Sequence, residues 1–260
     1  MSLLVAHELV VRIAGRALLN GIELGMDAGE VVLLGGRNGA GKTTLLHALA
    51  GLRKIEAGEV LLEGRAISAW PARQRARTIA LVPQDDESPF QFTGRELVLM
   101  GRHPHIPRFA LPGLRDHQVV HEALAAVDAI AFADRPLPTL SGGERRRIAI
   151  ARALATESKV ILLDEPTASL DLEHALLVLD LLTRLARQGR SVLMTSHEIG
   201  LAATRADRVA LLHEGRIVCD APPREALDDA RLVQVFGVDR RAMKSIFDGQ
   251  EPNIAQRSTP

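Results

Sequence analysis

The 260 residues include 32 basic and 32 acidic side chains, so the formal net charge is zero at pH 7, and 47% of the residues are hydrophobic. This balance argues against the overall positive field of nucleic-acid binders and polybasic membrane binders, and the composition is that of a globular chain. The single cysteine, Cys219, excludes an intramolecular disulfide and agrees with a reducing compartment. Since no stretch approaches about 20 apolar residues, we expect neither a membrane span nor an export signal.

The hydrophobic pattern along the chain predicts an α/β fold. Residues 4–13 and 18–26 are expected to form antiparallel strands, and short Val, Leu and Ile runs at 30–34, 78–82, 160–163 and 191–194 are typical of a largely parallel sheet buried on both faces. Residues 85–139 contain no strand-like run, several prolines and an amphipathic helix predicted over 116–128. A second helix, predicted over 172–188, is apolar nearly all round and ends before Gly189. The sequence therefore predicts a mainly parallel sheet with an inserted helical subdomain.

A glycine-rich segment between the strand at 30–34 and a predicted helix matches the phosphate-binding pattern G-x-x-x-x-G-K-[ST]. The candidate nucleotide-binding residues are Gly36, Arg37, Asn38, Gly39, Ala40, Gly41, Lys42, Thr43 and Thr44. Glycines let successive backbone amides face phosphates, Lys42 supplies a positive charge, and the Thr43 hydroxyl is a magnesium ligand. A plain glycine-rich turn would leave the Gly-Lys-Thr order unexplained.

Polar residues follow three of the predicted strands. Asp164 and Glu165 come directly after 160–163, Gln84 follows 78–82, and His197 follows 191–194. A structural turn would also accept Asp and Pro at 164–166, and either Gln84 or His197 alone fits a structural role. Because ligands bind beyond the carboxyl ends of parallel strands, we expect all four side chains to converge with Lys42 on one nucleotide. Asp164 is the candidate magnesium ligand and Glu165 the candidate general base.

The stretch LSGGER at 140–145 begins a predicted helix with two glycines. Ser141 and Glu144 fit a capping box, but that motif does not need Gly142 or Gly143, each of which costs about 1 kcal/mol relative to alanine inside a helix. Helix N-termini bind anions, so bare backbone here indicates a second phosphate-binding element.

Together these motifs resemble the nucleotide-binding subunits of ABC transporters, a family with a RecA-like P-loop NTPase core. GRNGAGKTT is similar to its Walker A motif, PQ at Gln84 to its Q-loop, LSGGE to its signature, ILLDEP to its Walker B motif, ASLD at Asp171 to its D-loop and TSH at His197 to its H-switch. The resemblance implies an ABC ATPase domain over residues 1–240, with a core at 1–84 and 158–240, a helical subdomain at about 85–157 and a polar tail at 241–260.

The resemblance also implies how the site works. ATP and Mg²⁺ would be bound, with Thr43, Gln84 and Asp164 as magnesium ligands and Glu165, His197 and Gln84 as catalytic residues. In this family the signature residues, here Ser141, Gly142 and Gly143, contact the nucleotide of a second, facing subunit, and Asp171 belongs to the same interface. We therefore expect a homodimer in the ATP-bound state.

Several segments, among them residues 100–105, are similar to the importers of iron siderophores, haem and cobalamin. This similarity implies an integral membrane permease as partner, contacted by residues 85–105, and indirectly a substrate-binding protein. The subunit would lie peripherally at the cytoplasmic face of the membrane and would not bind nucleic acid. The alternatives are another ABC transporter class, a soluble ABC ATPase of DNA repair or translation, and a P-loop kinase, which would leave the signature and His197 without a role.

The chain departs from the family pattern at a few positions. Ile13 stands where an aromatic residue normally stacks on adenine, and Arg145 and Arg146 replace glutamines that are usual after the signature. We predict weak discrimination between ATP and GTP. Arg145 to Arg147 and Arg152 form a cluster that we interpret as a solvated face or part of the nucleotide interface. A zinc site is an alternative interpretation of four histidines, although no thiol or carboxylate completes the spacing: His103, His105, His117 and His121.

Overall fold

Two β-sheets organise the computed structural model, which describes residues 2–84 and 92–237. The strands are β1 (Leu4–Ile13), β2 (Arg16–Met26), β3 (Val31–Gly35), β4 (Ala57–Leu62), β5 (Arg65–Ala66), β6 (Ile79–Val82), β7 (Val160–Leu163), β8 (Ser191–Thr195), β9 (Arg208–His213) and β10 (Arg216–Ala221). The α-helices are α1 (Lys42–Leu49), α2 (Ala72–Thr78), α3 (Gly94–Met100), α4 (Leu114–Ala126), α5 (Gly142–Ala155), α6 (Leu172–Arg187), α7 (Ile199–Ala203), α8 (Pro223–Ala226) and α9 (Asp229–Phe236). Single 3₁₀ turns lie at Ile67–Ala69, Ile130–Phe132 and Leu137–Thr139.

The larger sheet has the order β10-β9-β3-β8-β7-β6, and its strands are parallel except for β10, which pairs antiparallel with β9. Every residue of β3, β7 and β8 is buried, as expected for strands covered on both faces. The predicted α/β fold is confirmed, and the four strands predicted for this sheet end within one residue of their expected positions. Strands β9 and β10 were not assigned from the sequence, although they complete one edge of the sheet.

The smaller sheet is antiparallel, with the order β2-β1-β4-β5. The expected pairing of the first two strands is confirmed, and Leu4 lies opposite Met26. Strand β4, which the sequence analysis did not assign, pairs with the other edge of β1. Helix α1 contributes Leu45 and Leu49 to the hydrophobic core that also contains Leu24 and residues of both sheets. The helix after the phosphate loop is therefore held firmly by apolar packing.

Helices α3, α4 and α5 lie between β6 and β7 in the chain. Residues 92–139 contain one isolated bridge, between Thr93 and Pro136, and otherwise helices and turns. Helix α4 begins two residues before the predicted start because the Asp116 carboxylate accepts a hydrogen bond from the Gly113 amide, 2.9 Å away, which caps the helix at residue 113. The boundaries of the helical subdomain remain a prediction, and residues 85–91 and the predicted tail at 241–260 lie outside the described residues.

Helix α6 (Leu172–Arg187) confirms the long apolar helix and ends one residue before the predicted end, with Gly189 in the left-handed region at φ +91°. Its buried face includes Val178 and Leu182 and packs against β8 and β3. Within the two described ranges, every helix is too short or too polar to cross a lipid bilayer.

Candidate active site

The phosphate loop joins β3 to α1 and depends on glycine at two positions. Gly36 has φ +150°, and a Cβ there would lie 2.4 Å from the Leu212 carbonyl oxygen. Gly41, which caps α1, has φ +106°. A side chain would therefore clash with backbone at the first position and be strained at the second, so the local fold itself requires the glycines that bring backbone close to a ligand.

Lys42 is nearly buried, with 7% of its surface exposed. Its Nζ donates hydrogen bonds to the carbonyl oxygens of Gly36 at 2.8 Å and Arg37 at 3.1 Å. Burial lowers the pKa of the Lys42 ammonium, and the nearby Glu165 and Asp164 carboxylates oppose that shift. The ammonium thus lies against the phosphate loop with two carboxylates close by.

Asp164 connects three segments of the site. Its Oδ2 accepts a hydrogen bond from Thr43 Oγ1 at 2.6 Å, and its Oδ1 accepts one from Thr195 Oγ1 at 2.7 Å. Only 2% of Asp164 is exposed. Asp164 does not itself line the cleft, but it bonds Thr43, which lines it together with Gln84. A carboxylate, a hydroxyl and an amide oxygen are ligands that Mg²⁺ prefers, so these residue types fit the ion.

Glu165 is held in a strained backbone conformation, with φ +54°. Non-glycine residues in this region cost about 1–3 kcal/mol and cluster at functional sites. Its amide donates to Thr195 Oγ1 at 2.8 Å, and its Oε1 contacts Nε2 of His197. Glu165 is 6% exposed, whereas the side chain of His197 is half exposed. The Glu165 carboxylate is therefore buried but contacts a side chain that is open to solvent.

These elements surround a cleft of about 470 Å³ at the carboxyl ends of the parallel strands. Its lining residues are Leu18, Asn38, Gly39, Gly41, Lys42, Thr43, Thr44, Gln84, Glu165 and His197. Gly36, Arg37 and Ala40 belong to the same loop without lining the cleft. Ile13 does not line the cleft either, whereas Leu18 of β2 does. No local pattern in the sequence indicates that Leu18 would lie beside the cleft.

The predicted capping box at the start of α5 is confirmed. Ser141 Oγ accepts a hydrogen bond from the Glu144 amide at 3.2 Å, and Glu144 Oε2 accepts one from the Ser141 amide at 2.7 Å. The bond from the Ser141 amide lowers the pKa of Glu144. Ser141, Gly142 and Gly143 do not line the cleft formed by their own chain, and Ser141 and Gly142 are exposed.

The two glycines of this segment differ in their surroundings. A Cβ on Gly143 would lie 3.2 Å from the Ser169 carbonyl oxygen, a tight contact with backbone. A Cβ on Gly142 would meet only the Ser169 side chain, at 3.5 Å, which is an ordinary contact. Packing within the chain therefore accounts for glycine at 143 but leaves glycine at 142 unexplained.

Asp171 also lies away from the cleft, at the N-cap of α6. Its Oδ1 accepts a hydrogen bond from the His174 amide at 2.9 Å and pairs with His174 Nδ1 at 2.7 Å. The bond from the His174 amide lowers the pKa of Asp171. The carboxylate thus stabilises the start of the helix and remains exposed.

Three residues near the site, Thr195, Arg146 and Arg147, received no individual role in the sequence analysis. The Thr195 hydroxyl links Asp164 to Glu165, and only the position at the end of a predicted strand could have indicated it. Arg146 is 6% exposed and Arg147 is 9% exposed, so the interpretation as a solvated face is wrong for both. The reason is that α5 packs against β6, α3 and α4, which encloses these side chains.

The helical segment has its own buried ionic cluster around Arg102, which is 4% exposed. Its guanidinium bonds Asp116 Oδ1 at 3.0 Å, Glu157 Oε2 at 2.7 Å and the Ala155 carbonyl oxygen at 2.7 Å. His105 Nε2 lies 2.8 Å from the Thr156 carbonyl oxygen. Across residues 2–84 and 92–237, no three His, Cys, Asp or Glu side chains are grouped as metal ligands, so the geometry gives the zinc interpretation no support.

A parallel sheet carrying a phosphate loop, with paired carboxylates after a neighbouring strand, defines a nucleotide-binding protein of the P-loop NTPase class. The ABC transporter family model matches residues 19–168, and the chain belongs to this family. The resemblance inferred from the motifs is thereby confirmed. The family ATPase domain binds and hydrolyses nucleotide.

Individual relatives refine this assignment. The hemin import ATP-binding protein HmuV of Rhodococcus jostii (strain RHA1) is 42% identical over 234 residues, covering 89% of this chain and 79% of that protein. An inward-facing putative metal-chelate type ABC transporter has a chain that superposes with a TM-score of 0.79 at 32% identity, covering 92% of this chain and 90% of that one. The dimeric structure of a bacterial ABC transporter cassette gives a TM-score of 0.76 at 27% identity, covering 85% and 99%.

Proposed function

We propose that this chain is the ATP-hydrolysing subunit of an ABC importer that drives uptake of haem, an iron siderophore or a cobalamin through a separate membrane permease. The observation that carries the ATPase assignment is the convergence of Lys42, Thr43, Glu165 and His197 on one cleft. Asp164 lies behind this group and is hydrogen-bonded to Thr43. The cargo class follows from the hemin and metal-chelate transporters that the chain resembles.

In the proposed reaction, the loop amides and Lys42 bind the phosphates of ATP and offset their charge. Thr43, Gln84 and Asp164 would hold Mg²⁺, and the ion would supply positive charge that offsets the charge of the phosphates. Glu165 orients a water molecule and accepts its proton as the water oxygen bonds to the γ-phosphorus and the bond to ADP breaks. In this proposal His197, which contacts Glu165 and is half exposed, donates a hydrogen bond to the γ-phosphate.

The remaining predicted site residues act in this proposal across a homodimer. Ser141 and Gly142 are exposed, and nothing within the chain requires glycine at 142, which suits close contact with the nucleotide of a second copy. Gly143 lies against Ser169 and Leu170, the residues just before Asp171. A bacterial ABC cassette of similar fold forms a dimer, which supports this arrangement.

A second surface suits the permease. A cleft of about 1000 Å³ lies between α2 and the segment that follows α3, lined mainly by apolar residues such as Met100, Ile106 and Phe109. Phe109 is 95% exposed, and Leu111 and Leu114 beside it are also exposed. Exposed apolar patches of this kind mark interaction sites. We assign the cleft to the permease at the cytoplasmic face of the membrane, with a substrate-binding protein as an indirect partner and nucleic acid as none.

Glu165→Gln tests the ATPase assignment. The variant should bind ATP, lose hydrolysis and accumulate as an ATP-bound dimer, measured by phosphate release and by size-exclusion chromatography with light scattering. Glu198→Gln makes the same chemical change on a neighbouring exposed side chain and should behave like the wild type. Hydrolysis by Glu165→Gln at the original rate would refute the assignment of the general base.

Co-purification from detergent-solubilised membranes of the native host tests the transport assignment. Tagged protein should recover a polytopic permease of the haem, siderophore or cobalamin kind. Phe109→Ser should weaken this recovery, whereas Leu52→Ser, which alters an exposed leucine outside that cleft, should not. Reproducible recovery of soluble partners alone would leave the ATPase standing and overturn transport as its purpose.

A further inference from the structure

Arg146 lies one turn inside α5, the helix whose N-terminus carries the LSGGE segment, and its side chain points into the protein interior. Its guanidinium donates to four backbone carbonyl oxygens that belong to the ends of two neighbouring strands. Nη1 bonds the oxygens of Pro83 at 2.5 Å and Gln84 at 3.3 Å, after β6. Nη2 bonds the oxygen of Asp164, and Nε bonds that of Pro166 at 3.4 Å, after β7.

These carbonyl groups belong to or adjoin Gln84 and Glu165, two residues that must be positioned accurately in the proposed reaction. Asp164 and Pro166 are the immediate neighbours of Glu165, so Arg146 holds the backbone on both sides of the candidate general base. It also holds the backbone of Gln84, whose side chain lines the nucleotide cleft. A single buried cation therefore fixes the spacing between these two segments and ties both to α5.

Arg147, the next residue, shows that this connection is not a general property of buried arginines on α5. It is buried to a similar degree, but its Nη1 bonds the Asp128 carbonyl oxygen at 2.8 Å and its guanidinium lies 4.8 Å from the centre of the Phe132 ring. Both partners belong to the helical segment. Arg147 thus stabilises that segment internally, whereas Arg146 reaches the strand ends of the parallel sheet.

The chemistry of the side chain at position 146 also matters. A guanidinium has five N–H donors in a planar fork, whereas a glutamine amide has two on a shorter side chain. Only the larger fork can bond carbonyls from both strand ends at once. Arginine at position 146 therefore makes a connection that a glutamine there would not make.

We propose that Arg146 is a positioning residue that keeps Gln84 and Glu165 in register with each other and with α5, so that the magnesium-binding and water-orienting groups form one unit with the helix that carries Ser141. The inference rests on the proposed ATPase function. It assigns Arg146 no contact with the nucleotide, so binding of ATP by the phosphate loop alone does not depend on it.

Arg146→Met tests this inference, because it keeps much of the side-chain volume and removes all five donors. We expect the Kd for ATP without Mg²⁺ to stay within about twofold of the wild-type value. The gain in ATP affinity on adding Mg²⁺, measured by titration calorimetry, and kcat should each fall by about tenfold or more. Arg146→Lys, which keeps the charge and three donors, should recover part of both.

Arg147→Met is the matched control. It should lower the unfolding midpoint in urea, because it removes the bond to Asp128 and the contact with Phe132, while leaving the Mg²⁺-dependent gain and kcat near their wild-type values. The inference is overturned if Arg146→Met retains both quantities within about twofold, or if the two variants lose kcat equally. A wild-type protein that does not hydrolyse ATP would contradict the proposed function instead, and the Mg²⁺-dependent binding would still decide the role of Arg146.

Discussion

Thr195→Val should damage the site without creating a cavity. Thr195 is fully buried at the end of β8, and its Oγ1 donates to Asp164 Oδ1 at 2.7 Å while accepting the Glu165 amide at 2.8 Å. Valine has nearly the same shape, so the methyl packing is retained and the hydroxyl chemistry alone is removed. The substitution therefore isolates one oxygen atom that joins the candidate magnesium ligand to the candidate general base.

The magnitude follows from the two lost hydrogen bonds. A hydrogen bond to a charged group contributes about 1.5–3 kcal/mol, and a buried amide left without a partner costs about 1–3 kcal/mol. Since the two effects overlap at one atom, we expect the free energy of unfolding to fall by about 3 kcal/mol. Asp164 then keeps its bond from Thr43 but loses the one from Thr195, and Glu165 loses an anchor, so kcat should fall by at least about tenfold.

Urea unfolding and steady-state phosphate release measure these effects. Thr195→Ser retains the hydroxyl and should keep most of the activity, despite losing a buried methyl group. Thr183→Val removes a hydroxyl that bonds the Leu179 carbonyl oxygen within α6 at 3.0 Å, and it should leave kcat unchanged. The reasoning is refuted if Thr195→Val retains kcat within about twofold, or if Thr195→Ser is as impaired as Thr195→Val.

Three further predictions concern separate features. Gly142→Ala should leave the free energy of unfolding unchanged or raise it by up to about 1 kcal/mol, yet lower ATP hydrolysis by at least about tenfold; unchanged hydrolysis would contradict a role for Gly142 across the dimer. Asp116→Asn should destabilise the protein by about 1–3 kcal/mol at pH 7 in urea unfolding. Bonds from the Gly113 amide and Arg102 lower the pKa of Asp116, so this difference should be complete above about pH 4 and disappear as the pH falls through the folded-state pKa; a difference that persists in acid would argue against it. Leu18 lines the cleft and Ile13 does not, and neither is an aromatic residue that could stack on a base. Calorimetric affinities for ATP and GTP should therefore differ by no more than about tenfold, and a hundredfold difference would contradict this prediction.

Local patterns were sufficient to predict most of the elements that build the site. Hydrophobic runs predicted four strands of the parallel sheet, and the Gly-Lys-Thr order with its flanking strand and helix predicted the phosphate loop. Since the carboxyl ends of parallel strands share one edge, the convergence of Gln84, Glu165 and His197 could be expected before any distance was known. Strands β4, β9 and β10 were not assigned, because each is recognised by the strand it pairs with rather than by its own short sequence.

The contacts of the three arginines at 145–147 and of the Thr195 hydroxyl could not be predicted from the sequence. Arg145, Arg146 and Arg147 are chemically identical in the sequence, and only the packing of α5 against the sheet and its neighbouring helices decides which is exposed, which bonds the strand ends and which bonds Asp128. Thr195 acquires its role because parallel pairing places β8 beside β7 in a register that brings its hydroxyl to Asp164. Local sequence patterns specify the chemical groups of the site and the edge of the sheet at which they meet. Which residues hold those groups in place depends on the folded chain, because the contacts join residues that are far apart in sequence and carry no shared local signal.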